Sequence, residues 1–414
     1  MTVFAFAAGS SSVAQAMRIG HGARWVLLGL LLASAAVRVL ATRRLVLPAA
    51  STSAAVAVVA LALVSAAWSV SPRISAERAV SLGVLFATAL LLAAGEREPR
   101  RLVAGLVAGA AAVALAGLVV LAFDHSAAVQ AASLESPARF RGFGQDANTA
   151  ALLFGIAVAP ALALARRQPA WLAAVALFAG SIVASGSRGG LFAGGAGALV
   201  AVLLASRSLR PAAISVAAVL AAVAVGLVIQ NVPKALTHAP GQATTVVPGP
   251  PAKPGYQNAE AAYPLSADIG GPLPGGGQPP ITRGFFGGSG RGAAWTGAVH
   301  QILQRPILGF GFGTESRVFV DRYYYFVGGS PEDSYLGISL QLGVVGLAAL
   351  LALFAALAWP LRHGRRSDVT AACAGALAGG LVLAVVQSYV YSVGNIGSTT
   401  LWICAFLLPV AARA

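Results

Sequence analysis

Charge is what this sequence has least of. Lys, Arg, Asp and Glu make up 10% of the 414 residues, where a soluble domain carries about 25%. That leaves too few polar side chains to clothe a soluble fold. Carboxylates are scarcest, with 13 Asp and Glu against 28 Lys and Arg and a net charge of +15. There is no Asp-x-Asp pair, and His125, His238, His300 and His363 are scattered without metal-ligand spacing. Neither a catalytic metal nor another cofactor is expected. The two cysteines, Cys373 and Cys404, both fall inside apolar blocks, which excludes a disulfide framework and leaves the redox compartment unread. In a soluble chain the basic excess would point to nucleic acid. Here the arginines stand in short clusters between apolar blocks, the pattern of a membrane protein, and no nucleic-acid partner is expected.

What the sequence does have is long apolar runs: 57% of residues are hydrophobic and the mean hydropathy is +0.79. A span needs roughly 20 apolar residues to cross about 30 Å of hydrocarbon. Eleven such blocks are present, at 24–41, 46–66, 78–95, 101–122, 147–165, 170–186, 189–205, 211–230, 335–360, 369–391 and 396–412. The expected fold class is therefore an all-α polytopic integral membrane protein with about 11–12 transmembrane helices. Several blocks are rich in Ala and Gly, which lets membrane helices approach closely. Residues Met1 to Gly9 are also apolar, and Ala14-Gln15-Ala16 resembles a small-residue cleavage site. No basic residue precedes that stretch and it is short for a signal peptide, so it reads as a shortened first segment.

Orientation follows from the basic residues of alternate short loops. The set that includes Arg43, Arg44, Arg97, Arg166, Arg167 and Arg365 outnumbers the set that includes Arg73, Arg139, Arg141 and Arg188 by 14 to 7. The positive-inside rule puts the first set in the cytoplasm, with the N-terminus outside and the C-terminus inside. If residues 1–16 span the membrane, only the N-terminus changes side. Three regions result: an N-terminal transmembrane bundle at 1–230, a large outer loop at 231–334, and three C-terminal spans at 335–414. Within the loop, 231–280 is rich in Pro, Gly, Ala and Thr and reads as a flexible tether. Residues 289–305 read as a helix across the outer membrane face. Trp295, Val299, Ile302 and Leu303 lie on one side of it, and Thr296, His300, Gln301 and Gln304 on the other. Pro306 ends it, and Gly309, Gly311 and Gly313 follow.

With so few polar residues, those at the outer boundary stand out. Arg139, Arg141, Asp146 and Asn148 open one span; Ser187 and Arg188 lie in a tight turn; Arg291 opens the loop helix; Glu332 and Asp333 precede the next span. Guanidinium groups bind phosphate oxygens bidentately and stay charged at any working pH, and a helix N-terminus adds positive potential. A pyrophosphate held this way leaves more easily, and a carboxylate such as Glu332 can take a proton from an attacking hydroxyl. Each residue also has a plainer reading. Arg139, Arg141 and Arg188 serve equally as interfacial anchors, Glu332 and Asp333 as helix caps, and Trp68 and Trp295 as belt aromatics.

These residues resemble the motifs of the O-antigen ligase and O-antigen polymerase superfamily, in the same order. Trp68-Ser69-Val70-Ser71-Pro72 resembles its Trp-Ser-x-x-Pro motif. Arg139 to Asn148 resembles its Arg-x-x-Gly…Asn segment, with Ala147 where proline is usual. Ser185 to Gly190 resembles its Ser-x-Ser-Arg turn, and Arg291 and Trp295 resemble the start of its periplasmic loop domain. Glu332-Asp333, nine residues, then Gly343 and Gly346 match in spacing the ligases' His-Asn/Ser/Gln, nine residues, Gly-x-x-Gly pattern.

The resemblance implies a GT-C-like, metal-independent glycosyltransferase of the bacterial cytoplasmic membrane. Its donor would be an undecaprenyl-pyrophosphate-linked glycan at the periplasmic or exterior face, and its acceptor a hydroxyl-bearing glycan or glycolipid. Carried over by motif, Arg188 and Arg291 bind pyrophosphate and Glu332 stands where the family has its catalytic histidine. Arg139, Arg141, Asn148, Ser187, Trp295 and Asp333 would complete the substrate site. An ionised glutamate repels phosphate, so Glu332 fits acceptor activation better than donor binding, and both ligase and polymerase stay open. A polysaccharide transporter or flippase is the alternative from another class. That reading expects ionisable groups at mid-membrane and two related halves, neither of which is evident here.

Overall fold

The computed structural model describes residues 1–43, 45–130, 138–205, 209–231, 291–319 and 330–413. The expected tether at 231–280 falls almost wholly outside them. The described chain is nearly all helix. In order, the elements are α1 (Thr2–Gly9), α2 (Ala14–Thr42), α3 (Ala49–Val64), α4 (Pro72–Gly95), α5 (Pro99–Phe123), α6 (His125–Ala128), α7 (Ala147–Ala165), α8 (Leu172–Ser185), α9 (Arg188–Ala205) and α10 (Leu209–Asn231). After the large loop begins come α11 (Arg291–Gln304), α12 (Glu315–Val318), α13 (Ser334–Ala358), α14 (Asp368–Ala384) and α15 (Ile396–Ala411). A two-residue antiparallel pairing, β1 (Val129–Gln130) with β2 (Arg139–Phe140), closes the turn between α5 and α7.

Eight helices among the described residues are long and apolar enough to cross a membrane, and three shorter apolar helices fill the other expected positions. The protein is an all-α, multi-pass membrane protein. Burial sorts the spans: α7 is enclosed along almost its whole length, whereas α2 and α10 turn most of their apolar side chains outward, as a lipid-facing rim must. Small residues set the tightest packing. A methyl on Gly197 would come 2.7 Å from the Gly375 carbonyl, and one on Gly379 would come 2.8 Å from that of Ala193. Helices α9 and α14 therefore touch backbone to backbone. At one end of the bundle, Arg38 pairs with Glu96 at 2.7 Å and Arg167 with Asp368 at 2.7 Å, tying α2 to the α4–α5 turn and α7 to α14.

Three expectations are sharpened or corrected. The apolar N-terminal stretch is the eight-residue helix α1, with Phe6 and Ala7 fully buried. At 1.5 Å per residue it reaches about 12 Å, too short to cross a bilayer. The second C-terminal span ends at Ala384, not near 391, because residues 385–395 leave the helix and enter a network of side-chain hydrogen bonds. The loop helix α11 divides the apolar side that periodicity gave it between the protein and the outside. Ala298 and Gln301 are buried and Ile302 packs on the same side, while Val299 and Leu303 are exposed. Gln301 is buried because its amide donates to the Val318 carbonyl, a hydrogen bond that periodicity cannot show. The outward apolar residues Val299, Leu303, Ile307 and Leu308 instead suit contact with the membrane surface.

Candidate functional site

The glycine turn after α11 is held by the Trp68–Pro72 segment. Trp68 donates its indole N–H to the Leu308 carbonyl at 3.0 Å, the Val70 N–H donates to the Phe310 carbonyl at 3.0 Å, and Ser75 Oγ donates to the Phe312 carbonyl at 2.6 Å. Gly311 has a φ of +103° and lies so close to Ser69 that a methyl there would overlap it. The motif is thus a clasp that fixes the loop against α3 and α4. The glycine pattern downstream is its counterpart. Gly343 adopts φ +64° inside α13 and breaks the helix where the Ile307 carbonyl packs against it.

Against this frame, the polar segments singled out in the sequence converge. Arg139 is 4% exposed, and its guanidinium donates to the Ser185 carbonyl and to Asn148 Oδ1, both at 2.6 Å. It fastens the α5–α7 turn, the α8–α9 turn and the first turn of α7 together. Arg141 donates to the Gln145 carbonyl at 2.8 Å, and Asp146 caps α7 through the Asn148 N–H. Ser187 is buried and accepts from the Gly190 N–H at 3.2 Å, which shapes the turn that presents Arg188 at the start of α9. Gly189 packs against Val386, so that turn abuts the segment after α14.

Arg291 and Glu332 form an ion pair at 3.3 Å, their side chains 19% and 26% exposed. Glu332 Oε2 also accepts from Gln387 Nε2 at 3.1 Å. Trp295 donates its indole N–H to the Pro331 carbonyl at 3.0 Å, which anchors the turn that carries Glu332 to α11. Glu332 has a φ of +53°, a left-handed conformation costing a non-glycine residue about 1–2 kcal/mol. Strain of this kind collects where a side chain must be aimed. Burial pushes the Glu332 carboxyl above the usual carboxylate range; the charge of Arg291 pulls it back, and nearby Asp146 pushes it up again. Asp333 does what the plainer reading proposed: its carboxylate caps α13, accepting from the N–H groups of Tyr335 and Leu336. Burial raises its pKa too, against the pull of those two hydrogen bonds.

Sequence reasoning missed four residues here. Glu315, at the start of α12, is buried, and Tyr391 Oη lies 2.9 Å from both its carboxylate oxygens. Ser388 Oγ reaches Glu315 at 3.1 Å and also accepts from the Asp333 N–H. Gln387 completes the group through Glu332. Burial is the main reason that Glu315 is raised to about 7; hydrogen bonds from Tyr391 and Ser388 oppose it, and the charges of Glu332 and Asp333 add to it. The available signal was the polar run Gln387 to Ser392 at the end of an apolar block.

The arrangement therefore joins a guanidinium, a strained and mostly buried carboxylate, and an arginine-bearing helix start. A guanidinium is suited to holding an anion and such a carboxylate to accepting a proton. Residues 173–351 match the family described as O-Antigen ligase. That segment, under half of the chain, is similar to the O-antigen ligase family. No curated protein matches the chain. The match begins inside α8 and ends inside α13, so it contains Ser187, Arg188, Arg291, Trp295, Glu315, Glu332 and Asp333. Arg139 and Asn148 lie before it, and Gln387 to Tyr391 after it, so the hydrogen-bond network extends beyond the matched segment at both ends. Among the described residues the multi-pass helical architecture is consistent with a GT-C-like arrangement.

Proposed function

We propose that this protein transfers a glycan from undecaprenyl pyrophosphate to a hydroxyl acceptor at the outer face of the cytoplasmic membrane, without a metal. The observation that carries this reading is the Arg291–Glu332 pair, which lies within the segment similar to O-antigen ligase and is held by Gln387 from beyond it. The acceptor oxygen attacks the anomeric carbon while Glu332 takes its proton. The bond from that carbon to the pyrophosphate oxygen breaks, and undecaprenyl pyrophosphate departs with the electron pair. Arg188 and Arg291 stabilise the charge that develops on it.

The pairing suggests an order of events. Arg291 holds the Glu332 pKa down. When the donor's pyrophosphate draws the guanidinium away, Glu332 becomes the stronger base, so donor binding readies the site for the acceptor. Arg139, Asn148, Ser187, Trp295 and Asp333 act in this scheme by positioning, since each is engaged in hydrogen bonds within the protein. The positive-inside bias supports an outward-facing site. Polymerase activity is the alternative, in which the acceptor is a second lipid-linked glycan.

A reconstituted assay with a lipid-linked glycan tests the reading. Product that moves to a different carrier indicates a ligase, and a growing ladder indicates a polymerase. Arg188→Ala and Arg291→Ala should each abolish transfer while leaving membrane insertion intact, and a chelator should leave the rate unchanged. Full activity in both variants, or a strict requirement for a divalent ion, would sink the mechanism.

A further inference from the structure

Glu315 is a buried carboxylate to which the transfer chemistry gives no task. Around it, α13 contributes Gln341, whose Nε2 lies 3.4 Å from Oε2, and Gly337, where a methyl would sit 2.6 Å from Oε1 and overlap Tyr391. The 385–395 segment contributes Ser388 and Tyr391. The turn before α13 contributes the charges of Glu332 and Asp333, and on its own short helix Arg317 is exposed. Among the described residues no cation forms an ion pair with Glu315. An ionised carboxylate there would face two others with hydroxyl and amide dipoles alone to offset it.

We propose that Glu315 is the positioning residue of this site, fastening Ser388 and Tyr391 to the loop in its protonated form so that Gln387 meets Glu332. The chain of contacts is continuous. Glu315 holds Ser388; Ser388 meets both the N–H and the carbonyl of Asp333; and the Gln387 carbonyl accepts from Ser334 Oγ at 2.6 Å while its side chain reaches Glu332. Loss of the proton places a third negative charge beside Glu332 and Asp333 and loosens the 387–391 segment. The site then works below the pH at which Glu315 ionises and weakens above it.

The catalytic part rests on the transfer reading, so the test has two arms. In the first, hydrogen exchange is followed in peptides covering 331–337 and 385–395, corrected for intrinsic rates. Glu315→Ala and Tyr391→Phe should loosen both segments. In the wild type both should loosen as pH rises past 7, whereas Glu315→Gln, which mimics the protonated form, should stay closed. In the second arm, transfer by Glu315→Ala should lose about tenfold or more in kcat with donor KM within about twofold. Glu315→Gln should keep most of the rate and lack the fall above pH 7. If no lipid-linked glycan is transferred but the exchange pattern holds, the positioning role stands and the transferase reading fails. Wild-type protection in Glu315→Ala, or a wild-type pH profile in Glu315→Gln, overturns the proposal.

Discussion

Glu332 combines three features that seldom coincide in a residue that merely caps a helix. Its backbone is left-handed, its carboxylate is held by Arg291 and Gln387, and the neighbouring Asp333 already performs the capping. Glu332→Gln keeps the shape and both partners and removes the base. Turnover should fall by about 10²–10⁴ with donor binding little changed, measured as initial rates across donor concentration; unaltered turnover would return Glu332 to a structural part. Glu315 makes a second prediction, on stability. Its folded pKa of about 7 lies above the ordinary value of 4.5, so between those values the folded protein binds more protons than the unfolded. Stability is then greatest at the acid end and is lost as pH rises from about 4.5 to about 7. The raised pKa values of Glu332 and Asp333 add a loss of the same sign. Thermal melting in detergent should show that decline, and Glu315→Gln should flatten it; an identical slope in both proteins would contradict the buried, protonated carboxyl.

At the scale of elements, the glycine turn and the kink in α13 are two halves of one joint. Gly311→Ala must fit a methyl onto Ser69 and keep a φ of +103°, and should cost about 1–3 kcal/mol. Gly180 is the control: it lies in α8 with nothing within 4 Å of an added methyl, so Gly180→Ala should be neutral or stabilise by up to about 1 kcal/mol. Equal melting temperatures for the two variants would remove the clasp. The joint also shows what a sequence can and cannot disclose. Spans were legible because lipid demands about 20 apolar residues in a row, and the motif segments were legible because polar residues are rare at their borders. The Trp68–Pro72 motif was visible, but its task of holding carbonyls some 240 residues away was not. Glu315 was invisible for the same reason: its partner Tyr391 is 76 residues further on. The end of α14 was misplaced because residues 389–391 are as apolar or aromatic as a span. Non-helical backbone is tolerated at that depth only where the protein itself satisfies it. Here the Tyr389 N–H donates to Ser334 Oγ, while the Tyr389 and Val390 carbonyls accept from Ser398 Oγ and the Trp402 indole.

For the whole molecule, the decisive property is the side on which this network lies. Crossing helices alternate, so the Trp68 clasp, the Arg139 and Arg188 turns, the loop helix and the 385–395 segment share one end of the bundle. The Arg38–Glu96 and Arg167–Asp368 pairs mark the other. The basic excess belongs to that second end, and positive residues are retained on the cytoplasmic side during insertion. In the orientation proposed above, a lipid-linked donor in the outer leaflet would meet the site directly, and the exposed apolar residues Val299 and Leu303 of α11 suit contact with the membrane surface. Both native cysteines, Cys373 and Cys404, are buried, so single introduced cysteines report sidedness without background. Ser126→Cys, exposed just beyond α5, should react with an impermeant maleimide added outside intact cells. His363→Cys, exposed before α14, should react only after the membrane is opened. The reverse pattern would place the Arg291–Glu332 pair in the cytoplasm, where no outer-leaflet donor reaches it, and the transferase mechanism would have to be abandoned even if every hydrogen bond in the site were correct.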